Sequence, residues 1–204
     1  MSPAEERGRH ELQPGGTLRA DARRNRARVL QAAESVFAAK GTGASTEEVA
    51  KAAGVGIGTV FRHFPTKQSL LEAVFLEHLR SLGEQARAIG EEKPPGEAFF
   101  DFFTLVVNRA SMKNALADAL ESAGVDPMAT ASSSTHQLGG TLEELLRNAQ
   151  HAGAVRDDIG VAEIKTLLIG LARAAESPAA DPAVSSSVLT VVLDGLRPHG
   201  VSGT

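Results

Sequence analysis

Cysteine is absent from the 204 residues, and with it go disulfide scaffolds, thiolate zinc sites and cysteine nucleophiles. No run of about 18 consecutive apolar residues occurs, which removes a helical membrane span. The opening Met1-Ser-Pro-Ala-Glu-Glu-Arg-Gly-Arg-His10 also lacks the apolar stretch of a signal peptide. The expectation is a soluble cytoplasmic protein. The six histidines (His10, His63, His78, His136, His151 and His199) never pair at metal-ligand spacing, and no serine lies in a nucleophile-elbow context. Gly54-Val-Gly-Ile-Gly-Thr59 resembles a nucleotide loop, but position 59 is not glycine and no strand precedes it, so the dinucleotide geometry fails. Residues 157 and 158, both aspartate, follow an expected helix end and read as a cap or a solvated turn. These absences argue against an enzyme, and against a metal or a cofactor. Alternating strand patterns are missing as well, apart from short β-branched runs that also fit buried helix.

What is present is a sizeable apolar fraction, 42%, in a chain long enough to bury about 70% of its extended surface. The net charge of −4 hides an asymmetry. Residues 19–67 hold nine Lys or Arg against four acids, whereas residues 68–204 hold ten against eighteen. A basic head on an acidic body suits a polyanion bound at one end, because a phosphate backbone feels the local potential and not the whole-chain average. Charge alone is equally compatible with a solvated face.

Residues 1–18 are polar, carry Pro14-Gly15-Gly16 and have only Leu12 and Leu18 as bulky apolar groups, so they read as a disordered leader. Arginine is dense from 19 to 28; then Val29, Leu30, Ala33, Val36 and Phe37 form one helical stripe that Gly41 and Gly43 end. Ser45-Thr46-Glu47-Glu48 is a capping box, which predicts a short helix from Thr46 to Ala53. Gly54-Val55-Gly56 breaks it, a second short helix spans Ile57 to His63, and Phe64-Pro65 stops that one. Helix, tight glycine turn, helix is the helix-turn-helix pattern. From Lys67 a long element runs to near Gly90, followed by a punctuated connector, residues 91–96, and helices at about 97–111, 113–123, 127–151, 161–175 and 183–196. Asp126 to Thr135 is equally readable as a loop. The fold class is all-α. A helix-turn-helix head at 19–66 is followed by a larger helical body at 67–198 and a flexible tail at 199–204.

Within the head, Val49, Val55, Val60 and Phe64 are spaced to form a small core, and Ala50 is small enough to let two helices cross closely. Gly56, Ile57, Thr59, Phe61, Arg62 and His63 are left pointing outward, a mixture poorly explained as a purely solvated face. Lys67 stands at the start of a long helix, where the macrodipole disfavours a cation by a few tenths of a kcal/mol and a phosphate would be welcome. A solvent-exposed lysine that tolerates this cost is the competing explanation.

The stretch Ala53-Gly-Val-Gly-Ile-Gly-Thr-Val-Phe-Arg-His-Phe-Pro-Thr-Lys-Gln-Ser-Leu-Leu71 resembles the signature of TetR-family transcriptional regulators. The resemblance covers about residues 24–75. It implies a three-helix DNA-binding head whose third helix enters the major groove, and a ligand-binding, dimerising body. It also implies that Ser45 or Thr46, Thr59, His63 and Lys67 hold backbone phosphates, while Ile57, Gly58, Phe61 and Arg62 approach base edges or thymine methyls. Two residues depart from the pattern. Glycine replaces the usual Ser cap at 56, and Phe61 replaces the usual Tyr and so lacks a hydroxyl for a phosphate. Arg23 and Arg24, with the rest of the cluster up to Arg28, are candidates to track a phosphate strand or enter a minor groove.

In the body, Phe99, Phe100, Phe102 and Phe103 crowd five positions. A bland core explains them better than a ligand box, yet Phe99, Phe102 and Phe103 remain candidate cavity residues beside Asn108, Arg109, Met112 and Arg173. His78, on the apolar stripe of the long helix, reads as a satisfied core residue. The last two helices, with Val161, Ile164, Leu167, Leu168 and Leu171, then Val184, Val188, Leu189, Val191, Val192, Leu193 and Leu196, are more apolar than one core needs. Meeting their symmetry mates they form a four-helix homodimer interface. The expected protein is a one-component regulator that binds a double-stranded, near-palindromic operator as a homodimer and responds to a small-molecule effector. A body that recruits a protein partner instead, or a helical-scaffold enzyme, are the alternatives; the last needs a convergent titratable cluster that the sequence does not show.

Overall fold

A computed structural model describes residues 14–176 and 181–198, all of their regular structure being helical. The first helix, α1, runs Pro14–Lys40 and starts earlier than its sequence suggests. Proline at the first helical position gives up an N–H that has no intrahelical partner anyway, so Pro14 opens the helix. Residues 14–18, expected in the leader, therefore belong to α1, while the rest of that leader and the tail at 199–204 lie outside the described residues. Next come α2 (Thr46–Ala53) and α3 (Ile57–His63), which coincide with the sequence expectation, and α4 (Lys67–Glu92).

The body departs from expectation in two places: a joint expected near residue 112 is absent, and the helix expected at 127–151 is divided in two at Ala131. Residues 97–123, read as two helices, form the single 28-residue α5, Pro95–Ser122. Ala110-Ser111-Met112 contains neither glycine nor proline, so nothing interrupts the backbone ladder. The Asp126 to Thr135 stretch is helical: the Asp126 carboxylate accepts from the Met128 and Ala129 amides at 2.8 and 3.1 Å and starts a one-turn α6, Pro127–Thr130. It is followed by α7 (Ser132–His151), α8 (Val161–Ala175) and α9 (Pro182–Gly195).

Two apolar clusters hold this arrangement. One joins Val29, Ala33 and Phe37 of α1 with Val49, Val60 and Phe64 of the short helices, and reaches Leu70–Leu79 of α4 and Leu116 and Leu120 of α5. The other gathers Ala86, Phe99, Phe102, Phe103, Leu145, Leu146 and Ile164. Each fully buried Val, Leu or Phe stabilises by about 1.5–3 kcal/mol. Phe99, Phe102 and Phe103 share one face of α5 and are buried, while Phe100 points away from them and is half-buried; α4, α7 and α8 all pack against that helix. Both clusters draw on α4 and α5, so the head is seated on the body through these two helices.

Candidate nucleic-acid interface

The α2–α3 wedge is built by local hydrogen bonding. Ser45 Oγ accepts from the Glu48 amide at 3.2 Å and Glu48 Oε2 accepts from the Ser45 amide at 2.9 Å. Lys40 Nζ adds a 2.6 Å bond to the other oxygen of Glu48 and ties the end of α1 to the start of α2. That bond, with the Ser45 amide, holds the Glu48 carboxyl below its ordinary range. At the far end of α2, Gly54 adopts a left-handed conformation, φ 63°, that a side chain would strain. Arg28 reaches across from α1 and donates from Nη2 to the carbonyls of Ala53, at 2.7 Å, and Gly54, at 3.3 Å. A cation on the last carbonyls of a helix is electrostatically favourable. Arg26 lies over the Phe64 ring, 5.3 Å from its centroid, and Arg24 pairs with Asp21.

The arginine cluster thus divides. Arg26 and Arg28 are occupied in holding the head together. Arg23 faces the groove between α1 and α4, together with Glu34, Glu77 and Arg80. Ser45 and Lys67, candidates for phosphate contact, also have bonds of their own: the Ser45 hydroxyl oxygen caps α2, and Lys67 Nζ donates to the Gly43 carbonyl at 3.0 Å. Thr66 and Ser69 form the capping box of α4, so one of the amides that a phosphate could have met is already satisfied.

The outward face of α3 is different. Val60 and Phe64 are buried, and the turn closes through the Thr59 amide on the Gly56 carbonyl at 2.8 Å. Opposite them, Ile57 is 36% and Phe61 43% exposed, one helical turn apart. Gly58 sits between them with open space where a Cβ would be. Arg62 is exposed and makes no hydrogen bond or ion pair among the described residues, while Thr59 and His63 are half-buried at the edges. Gly56 starts α3 without a side-chain cap. Thr46, the first residue of α2, is half-buried beside its cap.

A second feature lies where the two clusters meet. A cavity of about 290 Å³ opens between α4, α5 and α8, with Arg109, Lys113 and Arg173 at its polar side. Leu82, Val106 and Leu168 form its apolar wall. Of the residues picked out from sequence, Arg109 and Arg173 line it. Phe99, Phe102 and Phe103 lie inside the body core, Met112 packs against the head cluster, and Asn108 is exposed. Lys113 and His78 were missed as cavity residues, although Lys113 stands four residues after Arg109 and so on the same helical face. His78 is buried at the cavity wall: Nδ1 lies 3.1 Å from Glu34 Oε1 on α1, and Nε2 lies 3.3 Å from the Arg109 carbonyl on α5.

A short, exposed second helix set against a capped first one by a glycine turn, on a helical body, defines a helix-turn-helix DNA-binding regulator. The family "Bacterial regulatory proteins, tetR family" matches residues 29–74, and "Transcriptional regulator SbtR-like, C-terminal domain" matches residues 94–198, over half of the chain. A TetR transcription regulatory protein from Mycobacterium vanbaalenii is 45% identical, with 89% of this chain and 99% of that one covered at a TM-score of 0.75. A TetR transcriptional regulator from Streptomyces coelicolor is 33% identical over 86% and 99% of the two chains, TM-score 0.73. The HTH-type transcriptional regulator UidR of Escherichia coli (strain K12) is 26% identical over 164 residues, 76% of this chain and 81% of that relative. The chain belongs to the TetR family of transcriptional regulators, whose fold and chemistry are those of DNA-binding proteins and not of enzymes. Among the described residues no helix is long and apolar enough to cross a membrane.

Proposed function

We propose that this regulator is a cytoplasmic repressor, as is typical of its family, that binds a near-palindromic operator as a homodimer and changes its DNA affinity when a small molecule occupies the body. The observation that carries the DNA reading is the α3 face: an exposed apolar pair, Ile57 and Phe61, beside Arg62, which has no ion pair among the described residues. Water gains nothing from that combination, whereas a major groove offers thymine methyls to the first two and guanine O6/N7 to the third. Thr46, Thr59, His63 and Lys67 ring this face as phosphate contacts, with Gly58 allowing close approach. Lys67 keeps its bond to Gly43 and offers its remaining N–H groups.

The homodimer reading rests on α9 and α8. Val184, Val188 and Val191 of α9 and Ile169 of α8 are exposed, and α9 packs chiefly on α8. A second copy of the same two helices covers this surface and sets two recognition helices about 34–36 Å apart, one turn of duplex. The ligand reading rests on the cavity at the seam of the two clusters, because His78 in its wall is bonded to Glu34 of α1 and to the α5 backbone. An occupant that displaces His78 alters how α1 is held, which gives it the differential affinity for two head positions that a population shift requires.

The test is retention of the full-length protein on a randomised duplex library across a salt series. Binding should weaken linearly in log–log form, by about 0.9 per phosphate neutralised, and the enriched sequences should show two inverted half-sites. Folded protein with no salt-sensitive retention on any duplex would overturn the assignment of α3.

A further inference from the structure

We infer that the cavity between α4, α5 and α8 takes an amphipathic anion: an oxyanion such as a carboxylate, on a short apolar body. The inference rests on the ligand-responsive reading above and names the chemistry of its effector.

Residues 68–204 carry eighteen acids and ten basic side chains. In such surroundings a cation readily finds a carboxylate, and Arg80, Lys93, Arg156 and Arg197 each do. Three others, Arg109 and Lys113 of α5 and Arg173 of α8, converge on one cavity from two helices. Arg173 reaches Glu176 at 3.2 Å, and the other oxygen of that carboxylate accepts from the buried Asn114 amide. Arg109 has only the Gln85 side-chain carbonyl, at 3.5 Å. Lys113 has no hydrogen bond or ion pair among the described residues, and neither it nor Arg109 is fully exposed to water. Other basic side chains of the body without an ion pair, Arg87, Arg147 and Lys165, are exposed. Like charges that face one another beside an apolar wall repel and are partly desolvated, and an anion between them relieves both costs.

The remainder of the cavity sets what the anion is attached to. His78 and Asn114 also line it but are engaged, with Glu34 and the Arg109 carbonyl and with Glu176 respectively. Leu82, Val106, Ala110, Leu168 and Ala172 offer no hydrogen-bonding side chain, so the rest of the ligand is hydrocarbon-like. A volume of about 290 Å³ is just under the usual range for small-molecule pockets, about 300–1,000 Å³, and suits a body no larger than a short chain or a single ring. The Arg109 guanidinium supplies a planar fork suited to a carboxylate, and Lys113 a mobile point charge.

Octanoate, octanol and octylammonium are the probes, titrated calorimetrically into the full-length protein, with operator affinity followed by fluorescence anisotropy. Octanoate should bind at one site per protomer, at least about tenfold more tightly than octanol, with octylammonium not detected. The double variant Arg109→Met with Lys113→Met, shown by circular dichroism to keep its helix content, should lose about tenfold or more for octanoate. The exchange Arg109→Lys with Lys113→Arg keeps both charges and should retain most of the binding. Octanol equal to octanoate, octanoate unaffected by the double Met variant, or no probe bound at all overturns the anion assignment. Octanoate binding as expected with operator affinity unchanged upholds the site and instead sinks the ligand-responsive reading.

Discussion

Among the described residues two helices, α3 and α9, expose more than one large apolar side chain, and they do so in opposite settings. On α3, Ile57 and Phe61 stand one turn apart beside Arg62 and His63, and the strip is only as long as a seven-residue helix. On α9, Val184, Val188 and Val191 run along fourteen residues whose one charged side chain, Asp194, lies near the end. The end of α9 is pinned: the Arg156 amide donates to the Leu196 carbonyl at 3.0 Å, and Arg197 lies 4.6 Å from the Phe100 ring centroid. Its free side is therefore a surface and not a loose end. Apolar exposure mixed with cations suits a polyanion with methyl groups in its groove. Apolar exposure without charge suits another apolar surface, and the nearest one in supply is the same helix of a second copy.

The largest effect is expected where that contrast is sharpest. Val191 is 70% exposed, and in the proposed homodimer Val191→Asp would place two carboxylates at the interface through the symmetry axis. An uncompensated buried charge costs about 3–5 kcal/mol, so sedimentation equilibrium at micromolar concentration should find monomers, and operator affinity should fall with the loss of the second half-site. Met128, 65% exposed on α6, is the control: Met128→Asp should leave the association state alone. A Val191→Asp protein that still sediments as a dimer would remove α9 from the interface.

How legible this was depended on how far each bond reaches along the chain. The Ser45–Glu48 box, the Gly54 turn and the limits of α2 and α3 are set within four residues, and the sequence carries their rules openly. The Arg28 clamp on Ala53 and Gly54, the Lys67 tie to Gly43 and the His78 bridge from Glu34 to Arg109 span 24 to 44 residues. They depend on how helices cross, which no local pattern states. Arg26 and Arg28 consequently looked like free cations. The continuity of α5 was hidden because a serine between two apolar stretches resembles a joint, and the start of α1 because Pro-Gly-Gly resembles a break. At the cavity, Arg109 and Arg173 were readable as polar residues in an apolar body. The phenylalanines were the ambiguous case: a helix face packed against its neighbours buries aromatic groups whether or not a cavity lies beside it, so crowding alone did not separate lining from core.

A smaller effect tests whether the α3 strip reads sequence or only charge. If Arg62 makes a bidentate contact with a guanine, Arg62→Ala costs about 1–3 kcal/mol at one position of each half-site and leaves other positions as they were. Competition binding against a panel of single-base operator variants measures this. A uniform loss across the panel makes Arg62 a phosphate contact and moves the discrimination to Ile57, Gly58 and Phe61.

The smallest effect belongs to Lys67, where head construction and the proposed DNA contact overlap. Lys67→Ala removes the bond to the Gly43 carbonyl and one cation from the face. Loss of a bond between a charged donor and an exposed carbonyl is a fraction of the 1.5–3 kcal/mol seen for charge-assisted bonds, because water replaces it. The two roles separate by their salt dependence. A lost phosphate contact lowers affinity for every duplex alike and reduces the log–log salt slope by about 0.9. A loosened α1–α2 connector weakens binding with the slope unchanged and lowers the thermal midpoint of the protein without DNA. Measuring slope and midpoint on the same variant therefore decides whether Lys67 touches the operator or only positions the wedge that does.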